Sequence, residues 1–173
     1  MENNSFTLLK SLRFANHDFV NHLQLIHLYL EVGQIDEAKN CIKEISKDYK
    51  SLSILNKLSL PKTIEWLYLF RWRYPSIQLT INSYIEDVIY PQNDDEIVEY
   101  LEQTINSVYN GLDPYSEHHL LIEIKAIQKE LLLHFHLEGK WETNVVNQIE
   151  KTNLKVKTIE MTQQSWKYEL TSE

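Results

Sequence analysis

One histidine lies where its type and surroundings are suited to exchanging a phosphoryl group. His17 falls in a segment, Ser5 to about Glu31, whose seam residues recur at alternating spacings of three and four. The spacing predicts a helix with the seam of a heptad, apolar except at Asn16 and formed by Leu9, Leu12, Asn16, Phe19, Leu23, Ile26 and Leu30. Residue 17 takes the neighbouring b position, where the other b residues are Lys10, Gln24 and Glu31. We therefore predict that His17 faces solvent beside the seam.

The chemistry that this position allows is nucleophilic attack on phosphorus. A neutral imidazole is a nucleophile at cellular pH without further activation, and a bundle helix holds it rigidly. Arg13 and Asn21, four residues before and after, share its face of the helix. We expect Arg13 to screen the phosphoryl group and Asn21 to hydrogen-bond the imidazole or the phosphate. Asp18 lies about 100° round the helix, off that face.

The alternative for His17 is an ordinary solvated residue, which is what most exposed histidines on surface helices are. Its surroundings offer too few carboxylates to hold a metal ion. We therefore expect no cofactor in this protein, and expect Mg²⁺ to be supplied by the partner.

The element that positions His17 is a helical hairpin. Gly33 and Gln34 suit a tight turn, and a second helix resumes the heptad spacing with Ile35, Ala38, Ile42, Ile45, Tyr49 and Leu52. The apolar band is wider than one seam, because Val20, Leu28 and Tyr29 flank it. Pairing of two hairpins into a homodimeric four-helix bundle would cover the remainder, and packing on the chain's own C-terminal half is the alternative.

The pattern changes after Pro61. A short aromatic-rich helix over 63–74 and a strand through Ile77, Leu79 and Ile81 are followed by a helix from about residue 93 to Asn110. Two strands, 120–127 and 130–137, then precede a helix through Trp141, Val145 and Ile149 and two closing strands, 154–159 and 166–170. The fold class is therefore α+β, with a helical hairpin in residues 1–58 and an α/β sandwich in 62–173, its helices on one face of a mixed sheet.

Composition excludes several classes of function. The net charge is −8 with the acids dispersed, which disfavours a nucleic-acid or anionic-membrane binder. Cys41 is the single cysteine, so no internal disulfide forms, and a reducing cytoplasm is the expected compartment. We expect no secretory signal, because the first residues have no basic region followed by an apolar stretch, and no membrane span, because no window stays apolar for about 18 residues.

The run from Arg13 to Ile26, RFANHDFVNHLQLI, resembles the phosphoacceptor segment of the sporulation initiation phosphotransferase B family. It is similar, more loosely, to the His-Asp-x-x-Asn motif of sensor histidine kinases. The resemblance implies a cytoplasmic homodimer whose His17 takes phosphate from a single-domain response regulator and passes it to a transcription regulator controlling sporulation. It assigns motif positions to Asp18, Asn21 and Gln24. We expect Lys10, Phe14 and Gln24 to contact the partner.

The C-terminal half is expected to be a degenerate ATP-binding domain of the histidine-kinase type. Asn106 and Asn110 reproduce an Asn-x-x-x-Asn spacing, but the sequence has only three glycines and therefore lacks glycine-rich nucleotide loops. Where such kinases carry Asp-x-Gly-x-Gly, this chain has Glu138-Gly139-Lys140-Trp141. We predict a histidine phosphotransferase without autokinase activity. The alternatives are a non-catalytic dimeric adaptor that binds response regulators and, with less support, an active sensor-type kinase.

Overall fold

The computed structural model describes residues 8–86, 93–128, 130–142 and 154–172, without the side chains at 8–12, 14, 48, 52 and 172. Two compact units divide the chain, Met1–Lys50 and Ser51–Glu173. The elements are α1 Leu8–Glu31, α2 Ile35–Leu55, α3 Pro61–Arg73, β1 Gln78–Ile85, α4 Asp94–Tyr109, β2 His119–Ile127, β3 Glu130–Glu138, β4 Lys155–Met161 and β5 Ser165–Ser172.

The N-terminal unit contains α1, the turn and most of α2. Gly33 has φ 74°, which a residue without a side chain adopts at no steric cost, and Gln34 N donates to Tyr29 O at 2.8 Å to close the end of α1. Asp36 and Glu37 lie in the first turn of α2, where carboxylates stabilise the helix N-terminus. The predicted helix–turn–helix is therefore present.

The more buried residues of the two helices form a row that differs from the predicted seam, and we infer that along this row each helix faces the other. Residues that are at least half-buried recur at spacings of three and four on both helices: Ala15, Asp18, His22, Ile26 and Tyr29 on α1, and Ala38, Cys41 and Ile45 on α2. The predicted seam is largely open instead, with Phe19 55%, Leu23 50% and Leu30 53% exposed. Among the seam residues of α1 whose side chains are described, only Ile26 belongs to the row that faces α2, because a two-helix hairpin buries one stripe per helix and leaves the other.

The C-terminal unit is an α/β sandwich, as predicted. Its sheet has the order β1-β2-β3-β5-β4, in which β1 and β2 are parallel and the other neighbours antiparallel. One face of the sheet is buried against α3 and α4, and the aromatic core there contains Trp66, Phe70, Phe135 and Tyr168. Alternation along β3 buries Leu131, Leu133, Phe135 and Leu137 and leaves His134 and His136 on the outer face, where they pair with Glu169 at 3.5 Å and Glu138 at 2.9 Å. The α+β fold class is thus confirmed.

Two of the predicted features differ from the structure or lie beyond it. Trp141 forms an isolated bridge with Leu112 instead of starting a helix, and Val145 and Ile149 lie outside the described residues. Trp141 is buried, which explains its apolar character without a helix.

A carboxylate from α4 joins α3 to α4. Asp94 accepts hydrogen bonds from the backbone N–H groups of Lys62 at 2.7 Å and Thr63 at 2.9 Å, and from the Thr63 hydroxyl at 2.6 Å. Pro61 begins α3 and the N-cap residue, Leu60, has no side chain able to cap. Asp94 therefore does the capping from another helix.

Candidate functional site

His17 lies on the exposed side of α1, as predicted. Its side chain is 70% exposed, and its backbone lies within the regular helix. Relative to the row that faces α2, His17 is about 140° round the helix at 100° per residue. The imidazole is therefore rigidly based and accessible to a second protein.

Two polar side chains reach the same ring nitrogen of His17. Asn21 Nδ2 lies 3.1 Å from Nδ1, and Asp18 Oδ1 lies 3.7 Å from it. Both recorded contacts of the ring are at Nδ1, and among the described residues none is recorded at Nε2. The predicted hydrogen bond from Asn21 to the imidazole is present in the structure.

The orientation of the Asn21 amide can select which ring nitrogen of neutral His17 carries the proton. In the orientation above the amide donates to Nδ1, so the proton of a neutral ring is on Nε2. A half-turn of the amide presents Oδ1 instead, which accepts from an Nδ1–H and leaves the lone pair on Nε2. The Asp18 carboxylate favours this second form because it stabilises a proton on Nδ1. Nucleophilic attack through Nε2 requires that form.

Asp18 lies off the His17 face of α1, as the helical repeat predicts, but its side chain still reaches the ring. Its backbone does lie off the His17 face, in the row that packs on α2, and its side chain is only 28% exposed. The carboxylate nevertheless reaches back to the ring of its neighbour. A helical-wheel projection gives the direction of each backbone position and does not account for the reach of a neighbouring side chain. The adjacent His17-Asp18 pair in the sequence is the feature that could have predicted this contact.

Arg13 and Gln24 are the other predicted site residues whose side chains are described, and neither has a recorded contact with His17. Arg13 and Gln24 are both exposed on α1. The side chains of Lys10 and Phe14 lie outside the described part of the structure, so their predicted contact with a partner stays a prediction.

An apolar band lies beside His17 on the hairpin. It comprises large side chains that are about half exposed: Phe19, Val20, Leu23, Leu28 and Leu30 on α1, and Ile35, Ile42 and Tyr49 on α2. Asn16, also exposed, interrupts the band directly before His17. Exposed apolar surface of this extent is typical of a protein contact.

Asn106 and Asn110, which have the spacing of the kinase asparagines, have different surroundings in the C-terminal unit. Asn106 Oδ1 accepts a hydrogen bond from the Tyr74 hydroxyl at 3.0 Å, within the α3–α4 contact, and Asn110 is an exposed residue at the end of α4. Burial, and next the nearby Glu102 carboxylate, raise the pKa of Tyr74, so its hydroxyl stays protonated and donates. Asn106 thus has a structural partner, while the absence of ATP binding stays a prediction.

A cleft of about 470 Å³ lies where the segment after α4 meets the segment after β3. Lys140 Nζ lies 3.1 Å from Asp113 Oδ2, and Asp113 N donates to Lys140 O at 2.9 Å. The hydrogen bond from the Tyr115 backbone N–H, followed by that from Lys140, holds the pKa of the Asp113 carboxyl below its usual value. Two of the three charged residues that line this cleft, Asp113 and Lys140, are thus paired with each other.

Within the described ranges, no cluster of three or more histidine, cysteine, aspartate or glutamate side chains is arranged to hold a metal ion. In the same ranges, none of the helices combines the length and the apolar character that crossing a bilayer requires.

Comparison with known proteins connects this geometry to a family. Residues 1–58 match the model of the sensor kinase SpoOB-type, alpha-helical domain. The chain is also 24% identical over 136 residues to sporulation initiation phosphotransferase B of Bacillus subtilis, covering 76% of this chain and 70% of that protein. The resemblance to the sporulation initiation phosphotransferase B family is confirmed. This relationship supports a role in a phosphorelay of the two-component type.

Two solved histidine kinases match this chain with TM-scores below 0.5. The Acinetobacter baumannii histidine kinase AdeS matches with a TM-score of 0.47 and 9% identity, over 91% of this chain and 97% of that one. The catalytic domain of the histidine kinase ThkA matches with a TM-score of 0.45 and 10% identity, over 66% of this chain and 91% of that one.

Proposed function

We propose that this SpoOB-type protein is a histidine phosphotransferase that carries phosphate between two response regulators in a relay controlling sporulation. The observation that carries the proposal is the imidazole of His17, which is 70% exposed and whose recorded contacts, with Asn21 and Asp18, are both at Nδ1. The match of the surrounding segment to sporulation initiation phosphotransferase B supports the same role.

The proposed transfer is a displacement at phosphorus. Nε2 of His17 attacks the phosphorus of an aspartyl phosphate on the first regulator, an N–P bond forms, and the P–O bond to the aspartate breaks so that its carboxylate leaves. The ring becomes positively charged as the bond forms, and its Nδ1 proton stays beside the Asp18 carboxylate. The reverse displacement, by an aspartate of the second regulator, restores neutral His17.

The regulator would supply the metal ion for this step. Transfer of a phosphoryl group develops charge on three oxygens, which a bound Mg²⁺ neutralises. The residues described around His17 contribute one carboxylate, Asp18, so we assign the Mg²⁺ to the acidic pocket of the partner. Arg13, four residues before His17, is proposed to approach the phosphoryl group once the regulator is bound.

The active form is proposed to be a homodimer. The exposed band of Phe19, Leu23 and Leu30 on α1 and of Ile42 and Tyr49 on α2 is what a second hairpin would cover in a four-helix bundle. Burial of such a band is the main gain from association, because a large apolar side chain that is already half-buried still gains roughly half of the ~1.5–3 kcal/mol of complete burial.

The test is phosphate transfer from a phosphorylated single-domain response regulator to the wild type and to His17→Gln. We expect acid-labile, base-stable label on the wild type alone, while the variant keeps its fold and its dimer. His22→Gln is the matched control, since His22 lies on the same helix but in the row facing α2. If His17→Gln takes up label as well, or if neither protein does from a donor active on a known acceptor, the proposal is wrong, and in the second case the adaptor function replaces it.

A further inference from the structure

A stripe of lysines runs along one side of α2. Lys39, Lys43, Lys47 and Lys50 follow each other at spacings of four, four and three, which places them within a sector of about 80° at 100° per residue. All four are exposed. The stripe is centred opposite the row of Ala38, Cys41 and Ile45 that faces α1.

This stripe stands out in an acidic protein. The unit Met1–Lys50 has six basic and seven acidic residues, and Ser51–Glu173 has eleven and eighteen, so the N-terminal unit is nearly neutral. Four of its six basic residues belong to the stripe. Lys39 lies 3.5 Å from Asp36, and among the side chains described in α2 no ion pair is recorded for Lys43, Lys47 or Lys50.

The stripe borders the surface that the proposed dimer would use. On α2 the exposed apolar residues Ile35, Ile42 and Tyr49 lie between the row facing α1 and the lysines. On α1 the open band of Phe19, Leu23 and Leu30 lies about 90° from the row facing α2, on the same side of the hairpin. A second copy that covers both bands therefore sets its own α1 next to the lysine side of α2.

The heights of the lysines and of His17 along the bundle axis agree with this arrangement of the two copies. Because the two helices run in opposite directions from the turn at Gly33, Lys50 is level with residue 17 of α1, and Lys43 is level with residue 24. In a two-fold bundle, Lys43, Lys47 and Lys50 of one copy share an outer face with His17 and Gln24 of the second copy.

We propose that Lys43, Lys47 and Lys50 of one copy dock the acidic surface of the response regulator that exchanges phosphate with His17 of the other copy. The inference rests on the proposed function. The regulator is acidic at this surface because it holds Mg²⁺ through carboxylates beside its phosphorylated aspartate. Lysines on flexible stems at the edge of a contact act by raising the rate of encounter.

The first test is charge reversal in the full-length protein. Lys43, Lys47 and Lys50 are changed together to Glu, and the control changes Lys57, Lys155 and Lys157, all exposed in the C-terminal unit, for the same change in net charge. At low salt and sub-saturating phosphorylated regulator we expect the stripe variant to accept phosphate at least about 10-fold more slowly than the control. At saturating regulator, or in about 1 M salt, the two rates converge to within about twofold, because the lysines do not touch the reacting atoms.

Retention of charge separates this effect from misfolding. The triple Lys→Arg variant keeps the wild-type rate, and both variants keep the helical content and dimer state of the wild type. If stripe and control variants slow equally, or if the deficit of the stripe variant persists in high salt, the docking role is refuted.

Mixed dimers test which copy supplies the lysines. One dimer has His17→Gln in one copy and the three Lys→Glu changes in the other; its intact His17 faces the intact lysines across the interface. The second dimer has all four changes in one copy and none in the other, so its intact His17 faces reversed charges. We expect the first to accept phosphate about 10-fold faster at low salt. Equal rates, or the opposite order, overturn the proposal, whereas failure of the wild type to take any label contradicts the proposed function instead.

Discussion

Replacement of Asp18 by Asn tests whether its carboxylate acts on the ring of His17. The ring gains a unit positive charge as the N–P bond forms, and the carboxylate oxygen lies 3.7 Å from Nδ1. Two unit charges at that separation attract by about 1 kcal/mol in water and by more in a lower dielectric. Because the ring is 70% exposed and the carboxylate 28%, we expect about 1–2 kcal/mol, or a transfer rate about 5- to 30-fold lower.

The assay is single-turnover transfer from a phosphorylated regulator at saturating concentration, so that binding does not limit the rate. Asn is isosteric with Asp and removes only the charge. Asp36→Asn is the control, because its carboxylate lies in the first turn of α2 and pairs with Lys39. We expect the control to transfer at the wild-type rate.

Two results would refute this account of Asp18. A change of less than about twofold means that the carboxylate does not stabilise the charged ring. A loss greater than about 1,000-fold exceeds what one solvent-screened charge supplies, and would assign Asp18 a different task, such as holding a metal ion.

Three further predictions concern the unit that follows the hairpin. Asp94→Ala removes the cap of α3 and is expected to lower the free energy of unfolding, measured by urea titration, by about 2–3 kcal/mol. The control Asp95→Ala loses only an exposed ion pair and is expected to change that free energy by less than about 0.5 kcal/mol, so equal effects of the two changes would contradict the cap. Gly139→Ala puts a methyl group 2.3 Å from Cδ2 of the buried His118, and is expected to cost about 2–3 kcal/mol by thermal unfolding; an unchanged melting temperature would show that the loop yields freely. Burial lowers the pKa of His136, so the folded state favours its neutral form and stability is lost as the pH falls through the ordinary histidine range. His136→Gln is expected to reduce this loss of unfolding free energy between about pH 7 and pH 5, and an unaltered dependence of that free energy on pH would contradict the role of His136.

Periodicity alone located the helices and strands that the structure describes. The alternation of Leu131, Leu133 and Phe135 with His134 and His136 fixed β3 and its buried face, since successive side chains of a strand point to opposite sides. The spacing of α1 likewise placed His17 on an exposed face. In each case the position of a residue within its own helix or strand decides whether its side chain is buried or exposed. The order of residue types is therefore sufficient to predict that exposure.

Contacts between elements were beyond the sequence pattern. No spacing in Pro61–Arg73 shows that its N-terminus is capped by Asp94, more than thirty residues away, or that Asn106 pairs with Tyr74. The apolar residues of α1 likewise predict that a face is buried without showing which stripe packs on α2. These contacts depend on how the elements approach each other in the fold, and the spacing of residues within one element does not specify that approach.

The sequence by itself determined the two-part α+β architecture, the exposed histidine and the shortage of glycine that disfavours nucleotide loops. The structure added that the Asp18 carboxylate reaches Nδ1 of His17 within the same helix. The tertiary structure decided that the seam of Phe19, Leu23 and Leu30 stays open in the single chain. The physical reason is that secondary structure follows from local periodicity, whereas the choice of packing stripe is fixed only when separate elements compete for the same apolar surface.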